Sequence, residues 1–248
     1  MKLKIVPDIN KITKEWSIER IVSECPPPTW EHVFENARNE LKDISDILEE
    51  DRIKNGPRLP SNKDLFRAFW LTPLKDIRVV IIGQDVYHSI INGTPLATGL
   101  AFSVPKGVSI PSSLQNIYKE LKSCIPEFNV PQHGDLSSWA RKQGIFLYNS
   151  SLTVRQGEPG CHGRIWDGFT KKVINAIINE NPNCIFVAWG AFAQKVAKNF
   201  VGNKATILNA PHPSGLSAHR GFIGCKHFSQ INEILVSKGK TPIDWNVY

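Results

Sequence analysis

Val79-Val80-Ile81-Ile82-Gly83-Gln84-Asp85-Val86-Tyr87-His88 is the stretch on which the reading of this chain turns. Four β-branched residues run together without polar alternation, as a strand covered on both faces requires. Gly83-Gln84-Asp85 then ends the run with residue types that turn, cap or carry charge. Three further segments repeat the pattern. Residues 145–148 lead into Asn149-Ser150-Ser151-Leu152-Thr153-Val154-Arg155. Residues 184–188 lead into Trp189-Gly190-Ala191-Phe192, and residues 206–208 into Asn209-Ala210-Pro211-His212-Pro213-Ser214-Gly215-Leu216-Ser217.

Apolar residues recur at helical spacing between these runs, over 114–124, 138–142, 169–179 and 192–200. Upstream, Cys25-Pro26-Pro27-Pro28 punctuates the chain and starts a helix carrying Trp30, Val33, Phe34, Ala37, Leu41, Ile44, Ile47 and Leu48 on one face. A short helix over 63–70 presents Leu65, Phe66 and Phe69. The last presents Phe228, Ile231, Ile234 and Leu235, with Gly239 expected just past its end. Strands alternating with helices predict an α/β fold, a parallel sheet covered by helices. In such a sheet ligands bind outside the carboxyl ends of the strands. The four polar clusters are therefore expected to converge on one crevice.

A length of 248 residues fits one α/β domain, and a hydrophobic share of 41% is enough for a sizeable core, which excludes disorder. Residues 1–25 read as a variable leader and 26–248 as a single domain. The net charge of +7 favours a polyanionic partner. Cys25, Cys124, Cys161, Cys184 and Cys225 form no C-x-x-C pair, so they read as free thiols in a reducing compartment, not as a disulfide framework or zinc site. No apolar run approaches the ~20 residues that span a bilayer. Residues 1–16 mix charged and apolar side chains without the apolar stretch of a secretion signal. An intracellular protein is expected, with no membrane association. The leader has no dense basic cluster, so no import signal is read that would select nucleus over cytoplasm or nucleoid.

The candidate chemistry lies in the clusters. Asp85 and His88 stand three apart behind a Gly-Gln turn; His212 lies between two prolines beside Ser214. A carboxylate and a histidine in one crevice can act as base and electrophile. Taken singly each is ordinary, since an Asp after a strand commonly caps or turns the chain. Asp85, His88, His212 and His219 are possible metal ligands, but no H-x-x-x-H, H-E-x-x-H or paired-cysteine spacing supports a metal site. A phosphate-binding G-x-x-x-x-G-K-[ST] loop, a G-x-G-x-x-G turn and a G-x-S-x-G elbow are all absent. Nucleoside triphosphates, dinucleotides and serine-hydrolase chemistry are thereby disfavoured.

Taken in order, the loops resemble those of the family 1 uracil-DNA glycosylases, over most of the chain from Pro26 onward. GQDVYH (83–88) resembles the family's water-activating loop, and GLAFSV (99–104) the segment bearing its stacking phenylalanine. IPSSLQNIYKEL (110–121) resembles the DNA-backbone loop and following helix, and FLYNSSLTVR (146–155) the uracil-reading segment. HPSGLSAHRGFIGCKHFS (212–229) resembles the minor-groove intercalation loop, and GKTPIDW (239–245) the family's closing segment. The resemblance implies a central four-stranded parallel sheet flanked by helices. It also implies excision of uracil from single- and double-stranded DNA after base flipping, leaving an abasic site, with no metal or cofactor.

By the same resemblance, Asp85 orients the attacking water and stabilises the sugar cation, and neutral His212 donates a hydrogen bond to uracil O2. Asn149 reads the O4/N3 edge, Phe102 stacks on the ring, Tyr87 excludes a thymine methyl and Gln84 contacts the base through its backbone. Leu216 wedges into the base stack, while Ser112, Ser113, Ser214 and Ser217 hold phosphates. A monomer is expected, open to a protein inhibitor that mimics DNA. The chain departs from the family pattern at Val86 and Gly215, where proline is usual, at Ala191, where serine is common, and over 89–98, which is longer than usual. A catalytically weak DNA-binding, replication-associated subunit on the same fold is the alternative; the intact set of Asp85, Phe102, Asn149 and His212 argues against it.

Overall fold

Four parallel strands form the centre of the molecule: β1 (Val79–Asp85), β2 (Ile145–Ser151), β3 (Ile185–Trp189) and β4 (Thr206–Ala210). Their order in the sheet is β2-β1-β3-β4, the four-stranded α/β architecture expected. The structure is a computed structural model and describes residues 8–248; the part of the leader reading that concerns residues 1–7 lies outside them. All four apolar runs lie on these strands. β1 and β2 also continue three residues into the polar clusters. The ladder pairs Gly83 with Asn149 and Asp85 with Ser151. Asp85 and Asn149 thus sit on hydrogen-bonded strand ends, a more rigid mount than the loops expected for them.

From β1 the chain steps to one side to form β2, then crosses to the other side to form β3. The crevice outside the carboxyl ends opens where this order reverses, beside β1. β1 is inserted between two partners and its first five residues are buried. β4 departs from expectation: only Ala210 is buried. It pairs with β3 alone, and its faces are less covered than those of β2, the other edge strand, which is buried throughout.

Nine α-helices lie among the described residues. Those before the sheet are α1 (Ile18–Glu24), α2 (Glu31–Asn36), α3 (Arg38–Asn55) and α4 (Arg67–Leu71). Then come α5 (Ser112–Cys124), α6 (Ser137–Gln143), α7 (Asp167–Glu180), α8 (Ala191–Val196) and α9 (His227–Ser237). The single helix predicted after Pro26 is two, α2 and α3, broken at Ala37. The apolar stripe survives the break, except that Ile47 is 48% exposed at its edge. The short helix predicted over 63–70 begins only at Arg67, after a series of turns. The pattern over 192–200 is also split, since α8 passes into a π-helical turn, Ala197–Val201. α9 ends as expected: the N–H of Gly239 bonds to Val236 O and that of Lys240 to Leu235 O, both 2.9 Å, the paired bonds of a Schellman cap.

The described part of the expected leader, residues 8–25, packs on the domain. α1 is capped by Ser17, whose hydroxyl accepts from the Arg20 N–H at 3.1 Å. It buries Ile18, Ile21 and Val22 in the same core as the sheet, with Ile12 and Cys25. All five cysteines are free thiols. Residues 89–98 form a small ribbon pairing Ile90–Ile91 with Thr94–Pro95. Its turn residues Asn92 and Gly93 have φ of 48° and 75°, as a type I′ hairpin demands.

Aromatic rings fill the space between β2 and the helices. Phe69 of α4 meets Trp30, Phe34, Phe146 and Phe169 at centroid distances of 4.9, 5.1, 5.2 and 5.9 Å. Phe146 and Tyr148 alternate along β2 and so reach the same layer. Because Phe69 joins α4, the Trp30 segment and β2, Phe69→Ala is expected to cost about 3–5 kcal/mol. Urea unfolding checks this, and a change below about 1 kcal/mol would show that the ring cluster is not the keystone of this layer.

Candidate active site

Asp85 ends β1, at the mouth of the crevice. Its Oδ2 accepts hydrogen bonds from the side-chain amide of Gln84 at 2.9 Å and from the backbone N–H of Gly160 at 3.0 Å. Its Oδ1 is buried without a partner. Burial raises the carboxyl above its ordinary range, while the Gln84 and Gly160 donors oppose that rise. Two residues earlier, Gly83 faces Asn149 across the ladder. A Cβ on Gly83 would lie 2.2 Å from Asn149 Oδ1 and 3.1 Å from the Ala101 side chain. Only glycine lets the amide lie against β1. Asn149 is 2% exposed, and its Nδ2 has no hydrogen-bond partner.

Ala101, packed beside Gly83, is fixed to β2 through its N–H to Leu147 O at 3.1 Å. It delivers Phe102, whose φ of +64° is uncommon for a bulky residue and costs on the order of 1–3 kcal/mol. The backbone on the far side holds this conformation: Ser103 Oγ donates to Gly134 O at 3.3 Å and accepts from Leu136 N–H at 3.0 Å. The half-buried ring lies 5.7 Å from Trp189 and 5.9 Å from His212, at 62° and 39°. Phe102 therefore joins the end of β3 to the loop after β4.

His212 packs on Gly190, whose φ is +91° and where a Cβ would come within 2.9 Å of the His212 Cβ. The backbone N–H of Ser214 donates to His212 Nδ1 at 3.1 Å. An acceptor at Nδ1 places the proton of a neutral ring on Nε2. Burial lowers the imidazole's pKa, which favours this neutral tautomer. The loop is held at both ends. Asn116 Nδ2 donates to Pro213 O at 2.8 Å, and fully buried Glu120 accepts from the N–H groups of Gly224 and Lys226 at 2.6 and 2.8 Å. Between these anchors stands Leu216, 84% exposed.

The remaining predicted residues fall around this frame. Tyr87 and His88 follow Asp85; the Tyr87 hydroxyl and His88 Nδ1 are buried without partners. Burial also pushes the Tyr87 phenol well above its ordinary pKa. Gln84 is exposed and Val86 buried. Ser112 and Ser113 open α5. A Cβ on Gly215 would fall 3.9 Å from Ser112 Oγ, which sets the two serine groups side by side. Ser217 Oγ donates to His212 O at 2.8 Å, and its 2.8 Å contact with Ser214 Oγ is then filled by the Ser214 proton. In the free protein both hydroxyls serve the turn. His219 is exposed on a surface turn. Among the described residues no group of three or more His, Cys, Asp and Glu is placed to hold a metal ion.

Three residues of this frame are not read from the sequence. Glu120 carries a readable signal, a carboxylate on the apolar face of α5 beside Ile117 and Leu121. Asn116 is one turn before it, where an amide is unremarkable. Gly160 looks like half of a Pro-Gly turn, and its bond to Asp85 spans 75 residues.

Comparison with known proteins agrees with this architecture. The uracil DNA glycosylase superfamily profile matches residues 69–236. The uracil-DNA glycosylase of Vibrio parahaemolyticus is 46% identical over 223 residues, 89% of this chain and 96% of that protein. The crystal structure of mimivirus uracil-DNA glycosylase superposes with a TM-score of 0.83 at 33% identity, covering 89% of this chain and 87% of that one. A mimivirus UNG variant in complex with UGI gives 0.84 at 32% identity, covering 98% and 99%. This chain is a member of the uracil-DNA glycosylase superfamily.

Proposed function

We propose that this protein hydrolyses the bond between uracil and deoxyribose in single- and double-stranded DNA, as the first step of base excision repair. One observation carries the reading. Among the described residues seven buried side-chain polar atoms lack partners, and four of them belong to Asp85, Tyr87, His88 and Asn149. Buried polar groups are nearly always satisfied, so this concentration marks a place shaped for a polar guest.

The reaction breaks the C1′–N1 bond. The electron pair stays with the base, positive charge builds on the sugar, and water adds at C1′ with loss of a proton. The ionised carboxylate of Asp85 stabilises the sugar cation and orients the water through the oxygen left free of N–H donors. The Nε2–H of His212 meets the negative charge that develops at uracil O2. Because Ser214 already holds Nδ1, this donor is aligned before the substrate arrives, which is the condition for electrostatic catalysis. Asn149 offers Nδ2 to O4 and Oδ1 to N3–H, an order that cytosine reverses. Phe102 stacks on the ring, and Gln84 contacts the base edge through its backbone. Tyr87 fills the space beside C5, where a rigid wall rejects a methyl better than binding alone does.

Extruding a base costs a few kcal/mol; Leu216 wedges into the gap and offsets part of the lost stacking. Ser112, Ser113, Ser214 and Ser217 hold the phosphates without reading sequence, the last two by turning their hydroxyls outward from the turn. The protein acts as an intracellular monomer whose catalytic groups all lie in a domain over 26–248, with residues 8–25 packed on its core, and no metal or cofactor takes part. Its basic surface also suits a protein that mimics DNA, as UGI binds the mimivirus relative. None of the described helices is long and apolar enough to cross a membrane.

The test is release of free base from oligonucleotides carrying uracil or thymine, single-stranded and duplex, under single-turnover conditions with chelator present. Uracil alone is expected; DNA binding without release would favour the weakly catalytic alternative. Asp85→Asn and His212→Leu are each expected to slow release about 10²–10³-fold with folding intact. Near-normal rates in both would remove the assigned roles. Asp85 also makes a pH prediction. Its folded pKa is raised, so at neutral pH its charge opposes folding, and that cost vanishes once the group is protonated in both states. Asp85→Asn should therefore unfold at higher urea than wild type at pH 7, with the gain shrinking as pH falls towards the ordinary carboxylate range. Tyr87→Ala should release thymine detectably, and Leu216→Ala should lose more activity on duplex than on single strands. Equal losses on both would mean that Leu216 does not act in extrusion.

A further inference from the structure

The hydrogen bond from Gly160 to Asp85 comes from a segment that is otherwise exposed. Residues 156–160 carry little burial of their own, yet they touch the catalytic stretch twice. Gly160 N–H reaches Asp85 Oδ2 at 3.0 Å, and Gly157 N–H reaches His88 O at 3.0 Å. The segment is held from behind by Asp51 on α3. His162, 4% exposed, approaches Asp51 Oδ2 through Nε2 at 3.1 Å and Thr153 Oγ1 through Nδ1 at 3.1 Å. The proton positions follow from the partners. Trp166 Nε1 can only donate, and it donates to Thr153 Oγ1 at 2.9 Å. Asp51 can only accept, so His162 carries its proton on Nε2, and in the neutral ring Nδ1 accepts from the Thr153 hydroxyl.

Every donor in this chain is thereby assigned with a neutral imidazole, the form that burial of His162 favours. Asp51 also accepts from Asn55 Nδ2 at 2.9 Å and faces Arg155 at 3.5 Å. Arg155 in turn pairs with Glu158 at 3.1 Å, and its N–H donates to Cys161 Sγ at 3.2 Å. Arg58, across the short ribbon from Arg155, is the other charged group near His162. The segment from Arg155 to His162 is therefore clamped at both ends, with Gly160 between the clamps.

We infer that Asp51 and His162 are positioning residues for Asp85, holding the Gly160 N–H on its carboxylate from about 75 residues away along the chain. This rests on the proposed role of Asp85. Neither residue touches the base or the sugar. Their effect is to keep one of two N–H donors on Oδ2, which with the Ser151 hydroxyl and neighbouring His88 favours the ionised carboxylate. If the clamp is lost, the segment swings away, Asp85 becomes harder to ionise, and its active form appears only at higher pH.

The experiment compares wild type with Asp51→Ala, His162→Phe and the conservative His162→Gln, using Ile44→Ala as a buried α3 control remote from the clamp. Single-turnover uracil release at saturating DNA is measured against pH, alongside DNA affinity, thermal melting and an NMR titration of the Asp85 carboxyl carbon. Asp51→Ala and His162→Phe are expected to lower the rate on the order of tenfold. The acid limb and the Asp85 midpoint should both move to higher pH, with affinity within about twofold; His162→Gln should recover most of the rate. A loss that follows melting temperature as in Ile44→Ala, with limb and midpoint unmoved, would overturn the inference. So would weakened DNA affinity with an unchanged rate at saturation. If the wild type released no uracil, the proposed reaction would fail, while the Asp85 midpoint would still decide whether the clamp acts on it.

Discussion

A negative charge is least welcome where this protein places it. The carboxylate of Asp85 ends the central strand, partly out of water, and burial works against its ionised form. Two N–H donors on one oxygen sustain it. Everything else about the crevice follows from keeping that group charged, fixed and half unsatisfied. The strand ladder sets its position, Gln84 and Gly160 saturate one oxygen, and the other is buried without a partner. A group so placed costs folding stability, a cost of the kind that accompanies reactive sites.

The same economy governs its counterpart. His212 lies in a turn whose own backbone occupies Nδ1, so the donor at Nε2 is a consequence of turn geometry and not of a neighbouring acid. Burial without a carboxylate partner keeps the ring neutral. Phe102 holds strained backbone between these elements, and the strain persists because Ser103 and the Gly134–Leu136 segment over-determine it. The most exposed large hydrophobic side chain among the described residues, Leu216, stands on a loop tied down at Pro213, Gly224 and Lys226. Rigid anchors with an uncovered tip suit a wedge better than a uniformly flexible loop does.

The departures from the family pattern sit around this frame and leave its donors intact. Val86 is buried against Leu59, Ala97 and Val154, so packing supplies rigidity that a proline ring would otherwise give. Residues 89–98 close on themselves as a ribbon with its own turn. Gly215 and Ala191 are exposed, where they alter the surface offered to DNA and not the arrangement of Asp85, Asn149 and His212.

The order of the strands' apolar runs, the polar clusters at their carboxyl ends and the apolar faces of the helices were legible in the sequence, because side-chain periodicity and chain direction are local properties. So were Asp85, Asn149, Phe102 and His212, since a resemblance in ordered motifs points to each one singly. Other features depended on distant partners and were not legible. Ala37 breaks a helix whose apolar spacing runs on unbroken. α1 belongs to the core although its sequence reads as a leader, and β4 is half exposed although β2, the other edge, is buried throughout. Above all, Gly160 reaches Asp85, and Asp51 and Glu120 hold loops far along the chain. Residue type and spacing determined which chemistry was available; only tertiary contact decided which backbone N–H met which carboxylate, because a hydrogen bond of about 3 Å has no sequence signature when its two ends are a hundred residues apart.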